Sequence, residues 1–433
     1  MPNRRMPNWL LLIVALIVLL MIIPVLWIFV SVTATPLHPN PESVPTSAIS
    51  APSFKWISAI INARQQVLAS VTRQNLPGLS VAVGHNGEIV WAEGFGFAEL
   101  KTNTPVTLKD RFRIGTASTA LTSVAAGLLI ENGRLKIDEE IQTYVPAFPR
   151  KQWPVTMRQL MGHTSGLDRD GGEQGPLFTK HCQQPAEASR YFANSPLRFE
   201  PQTLYSYSSN AWILVSSAIE ATASQPLYTF MREKIFNPLG MHDTIAESTL
   251  DTAAPEDEDF PLANMVRELI YDPEAKRGVA VNGKGEPPNH RVTSYFTRFA
   301  SDPKYGMHLM RPLDFSCYAG ASGFLTTPSD LVRLAMALNS NKLLQPSTLE
   351  LLQNSQVLAS GTDTGHGLGW RRTAVTLAGK QTRAMSQDGE VLGGKVASLI
   401  TFPEYGISIA VTSNISYAGT PAIAQQIAEA FIH

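Results

Sequence analysis

Three short stretches carry residue types from which a covalent hydrolase could be assembled. Gly115-Thr116-Ala117-Ser118-Thr119 sets three hydroxyls within five residues, at the front of a helical pattern. Pro201 to Ser209 holds Tyr205, Tyr207 and a run of serines, with Asn210 next in line. Gln387-Asp388-Gly389-Glu390 sets two carboxylates around a glycine. Attack by a hydroxyl needs a nucleophile, a base to take its proton, and N–H donors for the oxyanion. Thr116 has a hydroxyl, but its β-methyl restricts χ1 and crowds attack. Thr119, one turn on, titrates far too high to serve as a base. Ser118 cannot replace Thr116, because two residues along a helix it points about 200° away. No H-E-x-x-H or C-x-x-C spacing occurs, so neither a metal nor another cofactor is indicated.

These stretches must be held by a sizeable core, and 433 residues at 44% hydrophobic content can supply one. A net charge of −1 with 16% charged residues leaves no electrostatic footprint for nucleic acid. The two cysteines, Cys182 and Cys317, could pair in an oxidising compartment, but they make no disulfide framework. Trp9 to Val30 is an uncharged apolar run of 22 residues, enough to cross a bilayer. Arg4 and Arg5 before it place residues 1–8 in the cytoplasm and the rest outside. The rival is a secreted protein cleaved near Val32-Thr33-Ala34, but the run is longer than a usual signal core, which favours an uncleaved anchor at 9–30. Prolines 36, 39, 41, 45 and 52 mark residues 31–55 as an extended, solvated linker that holds the domain off the membrane.

Beyond the linker, the periodicity predicts a helix over 54–74 and paired strands at Leu79–Val83 and Glu88–Ala92 across His85-Asn86-Gly87. From Phe112 a short strand leads into a helix with an apolar stripe of Leu121, Val124, Ala125, Leu128 and Leu129, stopped by Asn132-Gly133. Helices follow at Ala211–Ala223 and Leu227–Ile235. Asp251 to Met310, with acidic Glu256–Asp259 and a Gly/Pro-rich stretch at Val281–Pro288, reads as a solvated insertion. Pro328-Ser329-Asp330 opens another helix. Gly367–Trp370, Lys395–Phe402 and Ile407–Ser413 read as closing strands, before a last helix at Pro421–Ile432.

Phe112-Arg113-Ile114-Gly115-Thr116-Ala117-Ser118-Thr119 resembles the F-R-I-G-S-x-x-K motif of serine β-lactamases and penicillin-binding proteins. The likeness is to class C β-lactamases and D-Ala-D-Ala carboxypeptidases above all. The hairpin LPGLSVAVGHNGEIVWAEGFGFAEL, the segment MRQLMGHTSGL beside L-L-x-H-T-S-G-L, and Asn237-Pro238-Leu239-Gly240-Met241 extend it over roughly residues 56–433. It implies an α+β fold (an α/β sandwich) behind the transmembrane helix. A central antiparallel sheet would be flanked by helices, with a mostly helical subdomain and insertions at roughly 135–318.

The resemblance puts Thr116 at the nucleophile and Thr119 at the lysine, so both reactive positions are changed. Tyr207 and Ser209 fall on the Tyr and Asn of Y-x-N, with Asn210 one residue from restoring the amide. Gln387 falls on the cation of K-T-G or H-x-G, Gly389 is kept, and the Glu390 N–H is left to face an oxyanion. Asp388 and Glu390 would repel an anionic ligand at about 4–6 Å by about 3–4 kcal/mol each. His163, Thr164 and Ser165 belong to a structural loop beneath the site. The expectation is a membrane-anchored, catalytically impaired protein that binds a cell-wall peptide, another small molecule or an unidentified protein partner. An alternative is a divergent hydrolase with Thr116 as nucleophile and Tyr207 or His366 as base. A third, a purely structural protein, would have a pocket filled by bulky side chains.

Overall fold

The computed structural model describes residues 8–33, 36–48, 54–169, 176–249, 290–298, 301–311, 313–377 and 379–432. Its strands are β1 (Thr46–Ala48), β2 (Gly78–His85), β3 (Glu88–Glu99), β4 (Thr104–Pro105), β5 (Phe112–Arg113), β6 (Ile245–Ala246) and β7 (Tyr295–Thr297), then β8 (Met307–Leu309), β9 (Phe324–Thr326), β10 (Arg371–Leu377), β11 (Lys380–Val391), β12 (Gly394–Phe402) and β13 (Ile407–Ser413). The main sheet is antiparallel in the order β1-β3-β2-β13-β12-β11-β10, with β4 added to β3. The β2–β3 hairpin turns on Asn86 and Gly87, both at positive φ (49° and 95°), as a twist-matched two-residue turn requires.

Strand alternation builds two cores on opposite faces of the sheet. Leu79, Val81 and Val83 of β2 and Ile407, Ile409 and Val411 of β13 face α2 (Ile57–Gln74) and the C-terminal helix Thr420–Phe431. Ala82, Ala410, Ala397 and Leu399 face the larger core, with the helices Ser209–Ala223 and Pro328–Asn339 and with α3 (Ser118–Glu131). That helix departs from the expected stripe. Every residue from Ser118 to Gly127 is buried, as for a helix enclosed on all sides. Its hydroxyls are satisfied inside the core, Thr122 donating to Ser118 O and Gly320 O, and Ser123 to Leu368 O.

The α+β architecture agrees with the expectation, and among the described residues one helix, α1 (Asn8–Thr33), is long and apolar enough to cross a membrane. Three local readings need correction. Residues read as a solvated linker are bound to the domain. Leu37 N–H donates to Asn75 Oδ1 at 2.7 Å, His38 is buried with its Nε2 3.1 Å from Leu76 O, and β1 pairs with β3. The cause is an otherwise open sheet edge and the left-handed Asn75 that ends α2 with a free side-chain acceptor. Much of the stretch read as a solvated insertion, including Glu256–Asp259 and Val281–Pro288, lies outside the described residues. Its last part packs: Tyr295 is buried, and its hydroxyl donates to Glu99. Gly367–Trp370 is no strand, because Gly369 turns at φ +98° and the strand begins at Arg371. Cys182 and Cys317 are joined as a disulfide.

Candidate functional site

Strand β5 delivers the chain through Ile114 into a tight turn, Gly115–Ala117, that opens α3. Gly115 sits at φ +51°, and a Cβ there would lie 2.0 Å from Glu390 O. A Cβ on Gly389 would lie 1.9 Å from Ile114 O. The two glycines therefore let this turn and β11 interlock backbone to backbone, as the retained Gly389 led us to expect.

Interlocking fixes the Thr116 hydroxyl at both ends. Oγ1 donates to Asp388 O at 3.1 Å and accepts from the Glu390 N–H at 2.9 Å. The proton that a base would have to remove is already given to a backbone carbonyl, and the N–H that would hold an oxyanion is given to the hydroxyl itself. Thr119 Oγ1 donates to Thr116 O at 2.9 Å and accepts from Gln387 Nε2 at 3.0 Å. Thr119 and Gln387 thus form a neutral chain behind Thr116. Ser118 faces the core, its Oγ meeting the Phe324 N–H at 3.4 Å.

Tyr207 and Ser209 come from the other side, at the start of the helix Ser209–Ala223, which Ser208 caps by accepting from the Ala211 N–H. Asn210, the candidate for a one-residue slip, is turned away and donates to Asp168 O at 3.1 Å. Ser209 is the one that faces the cleft. Thr116, Tyr207, Ser209 and Glu390 line this common opening of about 260 Å³, with Arg169, Phe178, Phe315 and Tyr318. Because it is open, bulky side chains do not fill the pocket.

Beneath Tyr207 lies His163, buried, with ring centroids 4.4 Å apart. Burial pushes its pKa down to about 3, helped by His366. Its Nδ1 and Nε2 lie 3.2 Å from the Ser208 N–H and the Trp212 Nε1–H; the neutral ring accepts from only one of these donors, and neither side offers an acceptor for a ring proton. His366 stacks on Tyr205 at 4.6 Å with Nδ1 3.2 Å from Thr364 O, and it is not among the residues lining the cleft. Of the two proposed bases, Tyr207 alone shares the opening with Thr116.

The electrostatic expectation at Asp388 and Glu390 needs revision. Lys395 Nζ lies 2.7 Å from Glu390 Oε1 and 3.6 Å from Asp388 Oδ2, and Ser398 donates to Asp388 Oδ1. The cation is brought opposite by the β11–β12 hairpin, where Glu390 pairs with Lys395. Lys395 was missed as a site residue, although a turn at Leu392-Gly393 between two strand-like runs already implies this pairing. Arg169 was missed too, and no sequence signal marked it. Among the described residues no group of three or more His, Cys, Asp or Glu side chains gathers as a metal site would need.

A central antiparallel sheet with helices on both faces, and a strand-borne glycine locked against the first turn of a buried helix, makes this a mixed α/β fold. Residues 59–432 match the Beta-lactamase family model, and the chain belongs to that family. It is similar to the mitochondrial serine beta-lactamase-like protein LACTB of Mus musculus, 26% identical over 271 residues, covering 45% of this chain and 49% of that protein. It is also similar to penicillin-binding protein 4* of Bacillus subtilis (strain 168), 26% identical over 171 residues, covering 38% and 37%. The chain thus spans about half or less of these curated relatives. Among solved structures, EstCE1, "a hydrolase with promiscuous acyltransferase activity", superposes with a TM-score of 0.67 at 19% identity, over 88% of this chain and 100% of that one. At that identity the likeness speaks for the fold alone.

Proposed function

We propose that this protein is a membrane-anchored member of the family whose cleft binds a cell-envelope peptide or a related small molecule without cutting it. The observation that carries this reading is the Thr116 hydroxyl, held between Asp388 O and the Glu390 N–H with neutral Thr119 and Gln387 behind it. General acid–base assistance is worth about 10²–10⁴-fold in such reactions, and the residue one turn on from Thr116 is a neutral threonine whose hydroxyl is given to Thr116 O. A protein partner would bind through the same opening or beside it.

The anchor is residues 9–30, with 1–8 in the cytoplasm and the domain on the extracytoplasmic side. The family domain takes up 56–433, its helical subdomain and insertions roughly 135–318. Residues 31–55 act less as a spacer than their composition suggests. From Thr33, the last residue of α1, to Leu37, the first held by the domain, four residues reach at most about 14 Å. The domain therefore rides at the membrane surface.

One observation favours a second reading. Tyr207 shares the cleft with Thr116 and the Glu390 backbone, so a hydrolase with Thr116 as nucleophile has one base candidate. Turnover of nitrocefin and p-nitrophenyl acetate by the purified full-length protein, beside Thr116→Ala, separates the two. We expect equal background rates. Turnover that disappears with the Thr116 hydroxyl would establish the hydrolase.

A further inference from the structure

The cleft carries a charge that none of the described residues pairs. Arg169 stands at its rim, Cζ 6.0 Å from the centre of the Tyr207 ring, and among the described residues its guanidinium has no ion pair. Its neighbour Asp168 is engaged elsewhere, by Arg198 Nη1 at 2.9 Å and by the Arg169 backbone N–H at 2.9 Å. The other charged side chain lining the opening, Glu390, is held by Lys395. Among the described residues lining the cleft, Arg169 is thus the charge without an ion-pair partner.

The opening is also lined by three aromatic side chains, Phe178, Phe315 and Tyr318. Phe178 packs on Phe315 and Tyr318 with ring centroids 5.0 and 4.6 Å apart. The Cys182–Cys317 bond ties the segment bearing Phe178 to the turn bearing Tyr318, and the Cys182 N–H donates to Ser316 Oγ at 2.9 Å. An opening of about 260 Å³ lies at the small end for ligand pockets and suits one end of a molecule.

We propose that Arg169 is the anion-binding residue of this cleft, and that its ligand is the carboxylate-bearing end of a small molecule or peptide with an aromatic or bulky apolar group beside the carboxylate. The inference rests on reading the cleft as a ligand site, but not on the inertness of Thr116. A single planar guanidinium fork matches a carboxylate in two-point contact. A dianionic phosphate would find one cation and the Glu390 carboxylate close by, so a monoanion fits better. The carboxylate lies at Arg169 and the ring enters among Phe178, Phe315 and Tyr318.

The test is calorimetry and saturation-transfer NMR on the full-length protein in nanodiscs, with three probes: N-benzoylglycine, its primary amide, and acetate. N-benzoylglycine is expected to bind at least about tenfold more tightly than either of the others, the size of one charge-assisted contact or one buried ring. Arg169→Gln should remove that advantage over the amide while leaving the amide's own affinity unchanged, and Arg169→Lys should restore part of it. Thermal melting of each variant checks that it is folded. Equal binding of acid and amide, an unchanged N-benzoylglycine affinity in Arg169→Gln, or no binding of any probe at millimolar concentration would each overturn the proposal. Thr116-dependent hydrolysis in the turnover assay would sink the non-hydrolytic reading and leave the role of Arg169 standing.

Discussion

Replacing Glu247 with alanine is expected to destabilise the domain by about 3–5 kcal/mol, the largest loss we foresee for a single side chain. Glu247 is 2% exposed and accepts from Arg113 Nε at 3.1 Å, from Arg113 Nη2, and from Arg291 Nη2 at 3.1 Å. Burial and the nearby Arg113 push Arg291 down to about 10, and Glu247, with Asp314 as a lesser contributor, offsets the repulsion between the two guanidiniums. Without it two buried cations face each other with no carboxylate hydrogen-bonded between them, and Arg113 keeps only neutral partners such as Leu313 O. The array also binds three parts of the chain together: Arg113 ends β5 just before the Thr116 turn, Glu247 follows β6, and Arg291 belongs to the returning insertion. Urea midpoints of the wild type and Glu247→Ala measure the effect, and Glu247→Gln should fall between them. A loss under about 1 kcal/mol would mean the arginines find other partners.

The second large effect is acid sensitivity from His163. Its folded pKa, about 3, lies well below the unfolded value of about 6.5, so the folded state holds it neutral. Above pH 6.5 the ring is neutral in both states and contributes no pH dependence. Below that the unfolded chain takes up a proton that the folded chain refuses, and stability falls by about 1.4 kcal/mol per pH unit. The loss is about 2 kcal/mol by pH 5 and reaches about 4–5 kcal/mol near pH 3, where the folded ring begins to titrate. Burial lowers His38 and His366 as well, so the wild-type slope includes them. His163→Asn isolates the term: its stability between pH 7 and 5 should fall less steeply than the wild type's, by close to one proton. Parallel curves would show that His163 is accessible to protons in the folded state.

Much of the fold was legible because the local signals agree with one another. Asn86-Gly87 marks its hairpin, Pro328-Ser329-Asp330 its helix start, and the alternation in β2 and β13 its two-sided burial. What escaped depends on pairing between distant residues. His38 reads as linker because its partner, Leu76 O, is a backbone atom that composition does not reveal. Arg291 reads as insertion because Glu247 is 44 residues away. At the site, residue types marked Thr116, Tyr207, Ser209 and Glu390, which do meet in one cleft. The direction of the Thr116 proton was not readable, since it is set by the strand register that puts Asp388 O beside it. The charge at Glu390 was misjudged for a related reason: Lys395 faces it only once the hairpin closes.

The central claim is that Thr116 is held too tightly to form a covalent adduct. Intact-protein mass spectrometry after incubation with a fluorescent penicillin, and separately with a fluorophosphonate, tests it most directly when Thr116→Ala is run alongside. No added mass is expected from either reagent on either protein. An adduct on the wild type that is lost in Thr116→Ala would contradict it, and would make Thr116 a working nucleophile.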